Sequence, residues 1–226
     1  MKSQLEYWEH FIIDWDQSVY NKDARNLSLL EQLASKFRGP LRARHQLACN
    51  FLAPLAEGRK ILEIGCGTGR LSYELLKAGA HSITGIDISQ LAIDKANSVF
   101  SDKFSNDQFC FLAGELEAID FSELEFDTVI GLGILQYMAP TDMHTLFKKK
   151  IGSCQLFFEF HESKPTLLNG LHWIYRSMKQ TLYCDYPHIR PIPRSEIRGL
   201  VDEAYYCHIP GASFFTTFPS KDWAAL

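Results

Sequence analysis

No apolar run in this chain of 226 residues approaches the roughly 20 residues that a bilayer-spanning helix requires. The opening MKSQLEYWEH is polar and charged where a secretion signal carries an apolar stretch. A cytoplasmic protein with no transmembrane segment is therefore expected. A dominant charge of one sign is lacking too. Lys and Arg number 23 against 27 Asp and Glu, a formal −4, which argues against a surface basic throughout, and no DNA partner is expected. The six cysteines include no CxxC pair and read as reduced thiols. Cys184 and His188 form half of a zinc pattern with no second half at ligand spacing, so no metal is expected. Repeats, low-complexity tracts and obvious linkers are absent as well.

What remains is an ordinary globular composition, 46% hydrophobic and 22% charged, in a length that suits one domain. The rhythm changes once. Residues 3–56 read as helix, with Leu27, Leu30, Leu33 and Phe37 at spacings of three and four. From Lys60 onward, short apolar runs alternate with amphipathic ones. The predicted strands are Lys60–Ile64, Ser82–Ile86, Gln108–Leu112, Phe126–Ile130 and Gln155–Phe160. The predicted helices are Arg70–Ala78, Ser89–Phe100 and Asp142–Lys149. Such alternation implies an α/β fold, a doubly wound and mainly parallel sheet covered on both faces. A serine-capped helix over Ser195–Ala204 should follow. Two aromatic-rich strands, Tyr205–Ile209 and Ser213–Phe218, should then pair across a Pro210-Gly211 turn. The organisation is thus a helical region 1–57, then an α/β unit 58–226 carrying an insert, 164–194.

The strongest local signal is ILEIGCGTGR, residues 61–70. An apolar strand ends in Gly65, Gly67 and Gly69 and leads straight into a helix. Glycines let backbone approach a ligand closely, and the following helix offers unpaired N–H groups. The next strand ends in Asp87, about twenty residues on, where a carboxylate can accept two ribose hydroxyls. The dinucleotide pattern fails, because Arg70 stands where its third glycine should be. A phosphate loop fails too, since no Gly-Lys-Ser/Thr closes it.

The pattern that fits, acidic-x-Gly-x-Gly-x-Gly, resembles the class I S-adenosylmethionine (SAM)-dependent methyltransferases. ILEIGCGTGR, TGIDIS, FLAGELEAIDF, FDTVIGLGILQYM and LFFEFHES occur in that family's order between Lys60 and about Ser163. The resemblance implies SAM as cofactor and a seven-stranded Rossmann-like methyltransferase sheet ending in an antiparallel hairpin. Residues 1–57 would be an N-terminal helical cap, and 58–226 the SAM-binding catalytic domain. Gly65, Cys66 and Gly67 would hold the methionyl moiety, with Gly131 and Leu132 lining its other side. Asp87 would hold the ribose and Ile88 the adenine. Glu115 and Leu116 would lie near the adenine amino group, with Glu115 where the family often has Asp. Glu63 organises the loop, either for the cofactor or by capping local backbone amides. Arg42 and Arg44 precede the first strand. Either could grip the SAM carboxylate bidentately, Arg44 being preferred, or both could be solvated helix charges.

The acceptor is less legible. After the fourth strand stands IGLGILQ, with neither the Pro-Pro-Tyr of amino-methylating enzymes nor the paired glutamates of arginine methylation, and no Pro-Cys exists anywhere. A small-molecule O- or N-methyltransferase remains. A silent SAM- or nucleotide-binding module, or an enzyme acting on an RNA or protein side chain, are the alternatives. His161, just past the fifth strand, is the candidate base or a structural histidine, with Glu159 and Glu162 as lesser candidates. Tyr137 either walls the acceptor or packs in the core.

The insert contains Lys164, Arg176, Lys179, Arg190 and Arg194 against the single acid Asp185, a net +4 in a chain of −4. Leu167, Leu171, Ile174 and Met178 form an apolar stripe, and Trp173 adds an aromatic. This is either a helix packed on the core or a lid over an anionic or aromatic acceptor, with Arg176 and Trp173 touching it. A peripheral membrane contact is a weaker third reading. Tyr7, Trp8, Phe11 and Trp15 complete the same lid or pack in the core.

Overall fold

The computed structural model describes residues 5–9, 12, 42–152, 154–163 and 189–226. Helix α1 covers residues 42–52. The sheet then begins with β1 (Lys60–Ile64), and α2 (Arg70–Lys77), β2 (Ser82–Asp87), α3 (Gln90–Ser101), β3 (Phe109–Ala113) and β4 (Thr128–Gly131) follow. Helix α4 (Pro140–Thr145) continues into a wider turn, Leu146–Lys150, before β5 (Gln155–Phe160). The chain closes with α5 (Arg194–Leu200), β6 (Tyr205–Ile209), β7 (Ala212–Thr216) and the two-residue β8 (Ala224–Ala225).

The strand order is β3-β2-β1-β4-β5-β7-β6-β8. The first five strands are parallel, and β7 enters antiparallel between β5 and β6. The expected seven strands become eight because the chain's end adds a short antiparallel rung to β6. Winding runs one way from β1 to β3 and the other way from β4, so a crevice opens between the carboxyl ends of β1 and β4.

Near-continuous apolar strands fit burial on both faces. Phe157 and Phe214 pack with Ala48, Leu52, Leu75 and Phe100 on one face. Phe158 and Phe215 stack at 5.7 Å on the other, against Phe147, Met143 and Ile197. Pro210-Gly211 turns the β6–β7 hairpin, as expected. The expected serine cap is corrected. Helix α5 begins at Arg194 after Pro193, ends at Leu200, and has no side-chain cap. Proline already sets the entry, so Ser195 lies inside the first turn. The helix stops because Val201 is extended.

The ends of the insert are tied to the sheet. Glu162 and Ile192 form a parallel bridge, Ile192 N–H donates to the His161 carbonyl, and Ser163 N–H donates to that of Ile192. The rest of the insert, including Trp173, Arg176, Lys179, Cys184 and His188, lies outside the described residues, as do the expected helical leucines 27–33.

Gly69 carries the tightest steric demand in the loop. Its φ is +78°, and a Cβ there would lie 2.9 Å from the ring of Phe100. Gly69→Ala combines a left-handed strain with an overpacked contact. It should cost about 1–3 kcal/mol of stability in denaturant unfolding. An unchanged midpoint would show that Phe100 yields freely.

Candidate active site

Two carboxylates hold the glycine loop. Glu63 is buried at 3% exposure near the end of β1. Its Oε2 accepts the amide of Ser72 at 3.1 Å and the Ser72 hydroxyl at 2.5 Å. Ser72 is the third residue of α2, and the residue before that helix is Gly69, which has no side chain to cap it. The acid of the preceding strand therefore takes the capping part. Burial pushes its carboxyl from the ordinary 4.5 to about 7, against the opposing pull of Ser72. These two bonds make Glu63 a local cap of the helix.

Asp87, at the end of β2, accepts Gly67 N–H at 2.8 Å on one oxygen and Ser89 N–H at 3.0 Å on the other. Burial raises its pKa, and the amides of Ser89, Gly67 and Ile88 oppose that rise. Each carboxylate oxygen has more than one lone pair, so these bonds leave acceptor capacity for a ligand. The Gly65 and Cys66 amides both donate to Ile86 O, which seats the loop on β2. The Cys66 side chain is buried, with its thiol pKa raised by burial, so only its backbone can face a ligand.

Across the crevice, the segment after β4 packs on the loop through Ile134, which lies beside Gly65 and Gly131. Arg44 reaches in from α1. Its Nη1 meets Glu159 Oε2 at 3.3 Å, next to Gly133. Glu159 is 2% exposed, and burial raises its pKa while Arg44 and the Gly133 amide lower it. Arg44 is thus a buried counter-ion and not a solvated helix charge, and its Nε is buried without a hydrogen bond. The N-terminal residues lie over the same edge. Ile12 sits on Gly67, and Trp8 meets Tyr137 edge-to-face at 5.9 Å. Two open depressions of about 530 and 510 Å³ flank α1 elsewhere and contain none of these groups.

Residues 61–151 match the methyltransferase domain family. That stretch, from the first strand to the end of the turn before the fifth, carries a methyltransferase domain of the SAM-dependent kind. An uncharacterised methyltransferase of Synechocystis sp. is 30% identical over 119 residues, 53% of this chain and 52% of that protein. An O-methyltransferase of Aspergillus nomiae is 25% identical over 126 residues, 53% and 56% of the two chains. The chain therefore spans about half the length of these curated relatives. In fold, the magnesium protoporphyrin IX methyltransferase of Synechocystis, solved with bound SAH (the demethylated cofactor product), superposes with a TM-score of 0.67. It covers 93% of this chain and 95% of its own at 17% identity.

The other expected site residues fall as follows. Ile88 is half-buried beside Asp87, and Gly131 and Leu132 close the β4 end. Glu115 is exposed, and Leu116 O accepts Lys150 Nζ at 2.6 Å. His161 follows β5, half-buried. Two lesser base candidates are corrected. Glu159 is committed to Arg44. Glu162 accepts Arg194 Nε at 2.5 Å, the Tyr206 hydroxyl at 2.5 Å and the Ser213 hydroxyl at 2.6 Å. Such charge-assisted bonds leave it a tie between β5, α5 and the hairpin. Two of the insert's five cations are paired at its C-terminal end. Arg194 is spent on Glu162, and Arg190 forks onto Glu196 at 2.7 and 2.9 Å. Arg190 also donates to Met138 O, which fastens the insert's base to the segment after β4. Sequence reasoning missed this clamp, as well as Ile12 on the glycine loop, because no spacing signal links positions so distant.

The raised pKa of Glu63 fixes a sign. Between about pH 4.5 and 7 the folded protein keeps a proton that the unfolded chain releases. That stabilisation is full below 4.5 and lost as pH rises through 7. Between pH 4.5 and 8, unfolding free energies should move in favour of Glu63→Gln over the parent by about 2–3 kcal/mol. Parallel curves for the two proteins would refute the assignment.

Proposed function

We propose that this methyltransferase transfers the methyl group of SAM to an oxygen or nitrogen of a small, anionic or aromatic molecule. The observation that carries the cofactor half is Asp87, locked to Gly67 and Ser89 at the switch point with acceptor capacity left for a ribose diol. Ile88 would pack on the adenine, with Glu115 and Leu116 near its amino group. Gly65, Cys66 and Gly67 would offer backbone to the methionyl chain, and Gly131 and Leu132 would line its far side. Arg44, which has a buried donor to spare, would hold the cofactor carboxylate. Bound SAM supplies a methyl group on an electron-poor sulfonium. The chain's own work is alignment and exclusion of water.

The Trp8–Tyr137 pair supports an aromatic wall on the acceptor side. The O-methyltransferase relative supports an oxygen acceptor. In this reading residues 1–57 cap the catalytic domain, and 164–194, with Trp173 and Arg176, cover the acceptor. His161, half-buried just past the β5 end, would take a proton from a weakly acidic acceptor.

Calorimetry with SAM and SAH tests the cofactor half. Asp87→Ala should cost about 1.5–3 kcal/mol of binding, the worth of a hydrogen bond to a charged group. Unchanged affinity in a folded variant, or tighter binding of NAD than of SAM, would sink the reading. The acceptor is sought by transfer of label from methyl-labelled SAM into a metabolite pool. With the acceptor so found, His161→Ala should lower turnover roughly 10²–10⁴-fold while SAM affinity holds. A loss below threefold would leave alignment alone as the mechanism.

A further inference from the structure

The N-terminal helical residues 5–9 bring a carboxylate to the cofactor crevice that no motif announces. Glu9 Oε1 accepts the amide of Leu91 at 3.2 Å. Leu91 is the second residue of α3, so this oxygen satisfies an amide that the helix leaves open, and Ser89 satisfies the next through Ala92 N. The other oxygen, Oε2, is sealed from solvent and has no hydrogen-bond partner among the described residues. Glu9 also stands near enough to Asp87 for its charge to act on that carboxyl. Ile12, 7% exposed on Gly67, and Trp8 on Tyr137 hold the segment against the same edge.

A buried acceptor without a donor is costly, and a second carboxylate nearby makes it costlier. Capping α3 accounts for Oε1 and leaves Oε2 unexplained. The group that would satisfy both carboxylates is one that presents two adjacent hydroxyl donors at the end of β2. We propose that Glu9 is a second acceptor for the ribose cis-diol of SAM, beside Asp87, so that helical residues 5–9 act as a clamp on the bound nucleoside. This rests on the reading of the crevice as the SAM site. No bond is made or broken; the cofactor hydroxyls donate and Glu9 Oε2 accepts. A bound diol would give Glu9 Oε2 the donor that it lacks among the described residues.

Glu9→Gln separates clamp from cap, because its amide oxygen can still accept Leu91 N–H while its NH₂ replaces the acceptor Oε2. Calorimetry is run on the full chain with SAH and with its 2′-deoxy and 3′-deoxy forms. Glu9→Gln should weaken SAH about 10-fold or more, as for a lost charge-assisted hydrogen bond. The penalty should shrink to less than threefold against at least one deoxy form, whose missing hydroxyl no longer needs the oxygen. The melting temperature of the empty protein should hold or rise, since one of two neighbouring charges is gone. SAH affinity within twofold of the parent, or an equal penalty against all three ligands, overturns the clamp. A parent that binds no SAH, or an Asp87→Ala variant that binds it normally, overturns the cofactor reading and the clamp together. Normal Asp87 dependence with a silent Glu9→Gln overturns the clamp alone.

Discussion

The hydrogen bond from Gly67 N–H to Asp87 is the join on which the rest of the upper sheet edge depends. A loop carrying three left-handed glycines has little conformational preference of its own, and ordering it is entropically costly. Asp87 holds its middle, and Glu63 holds the first turn of the helix beyond it. Both carboxylates are buried to do so, and both are pushed toward protonation as a result. The loop is thus anchored from two neighbouring strands. The spare acceptor capacity of Asp87 lies at the switch in winding that opens the crevice.

The same logic repeats with other partners on the acceptor side. Arg44 neutralises Glu159 at the end of β5, while Gly133 donates an amide to it, which locks α1 to the segment after β4. Arg194 and Glu162 join β5 to α5 and the hairpin, and Arg190 joins the base of the insert to Met138. Each is a bridge between elements distant in sequence, and the carboxylates Glu159 and Glu162 are buried in them. Breaking one partner of such a pair leaves the other charge uncompensated, so these pairs fix geometry more than they add net stability. Two of the insert's own arginines thus fasten its C-terminal end to the sheet.

From the sequence alone, the alternation of strand and helix, the glycine triplet and Asp87 were legible, and so was the parallel sheet they build. Strands Lys60–Ile64, Gln155–Phe160 and Tyr205–Ile209 fall where periodicity and turn chemistry put them. These signals are local, because a strand's apolar run and a turn's glycine are set by neighbours a few residues away. Tertiary structure alone decided which charges serve chemistry and which serve the fold. Glu63 became a helix cap, Glu159 and Glu162 became buried ion-pair partners, and Arg190 and Arg194 left the basic face of the insert for internal forks. Glu9 reached the crevice from 82 positions before the amide it caps. A charge reads the same in sequence whether it meets water, a carboxylate or a helix end. Its role is set by burial and by the partner that folding brings within about 3 Å, and neither has a sequence period.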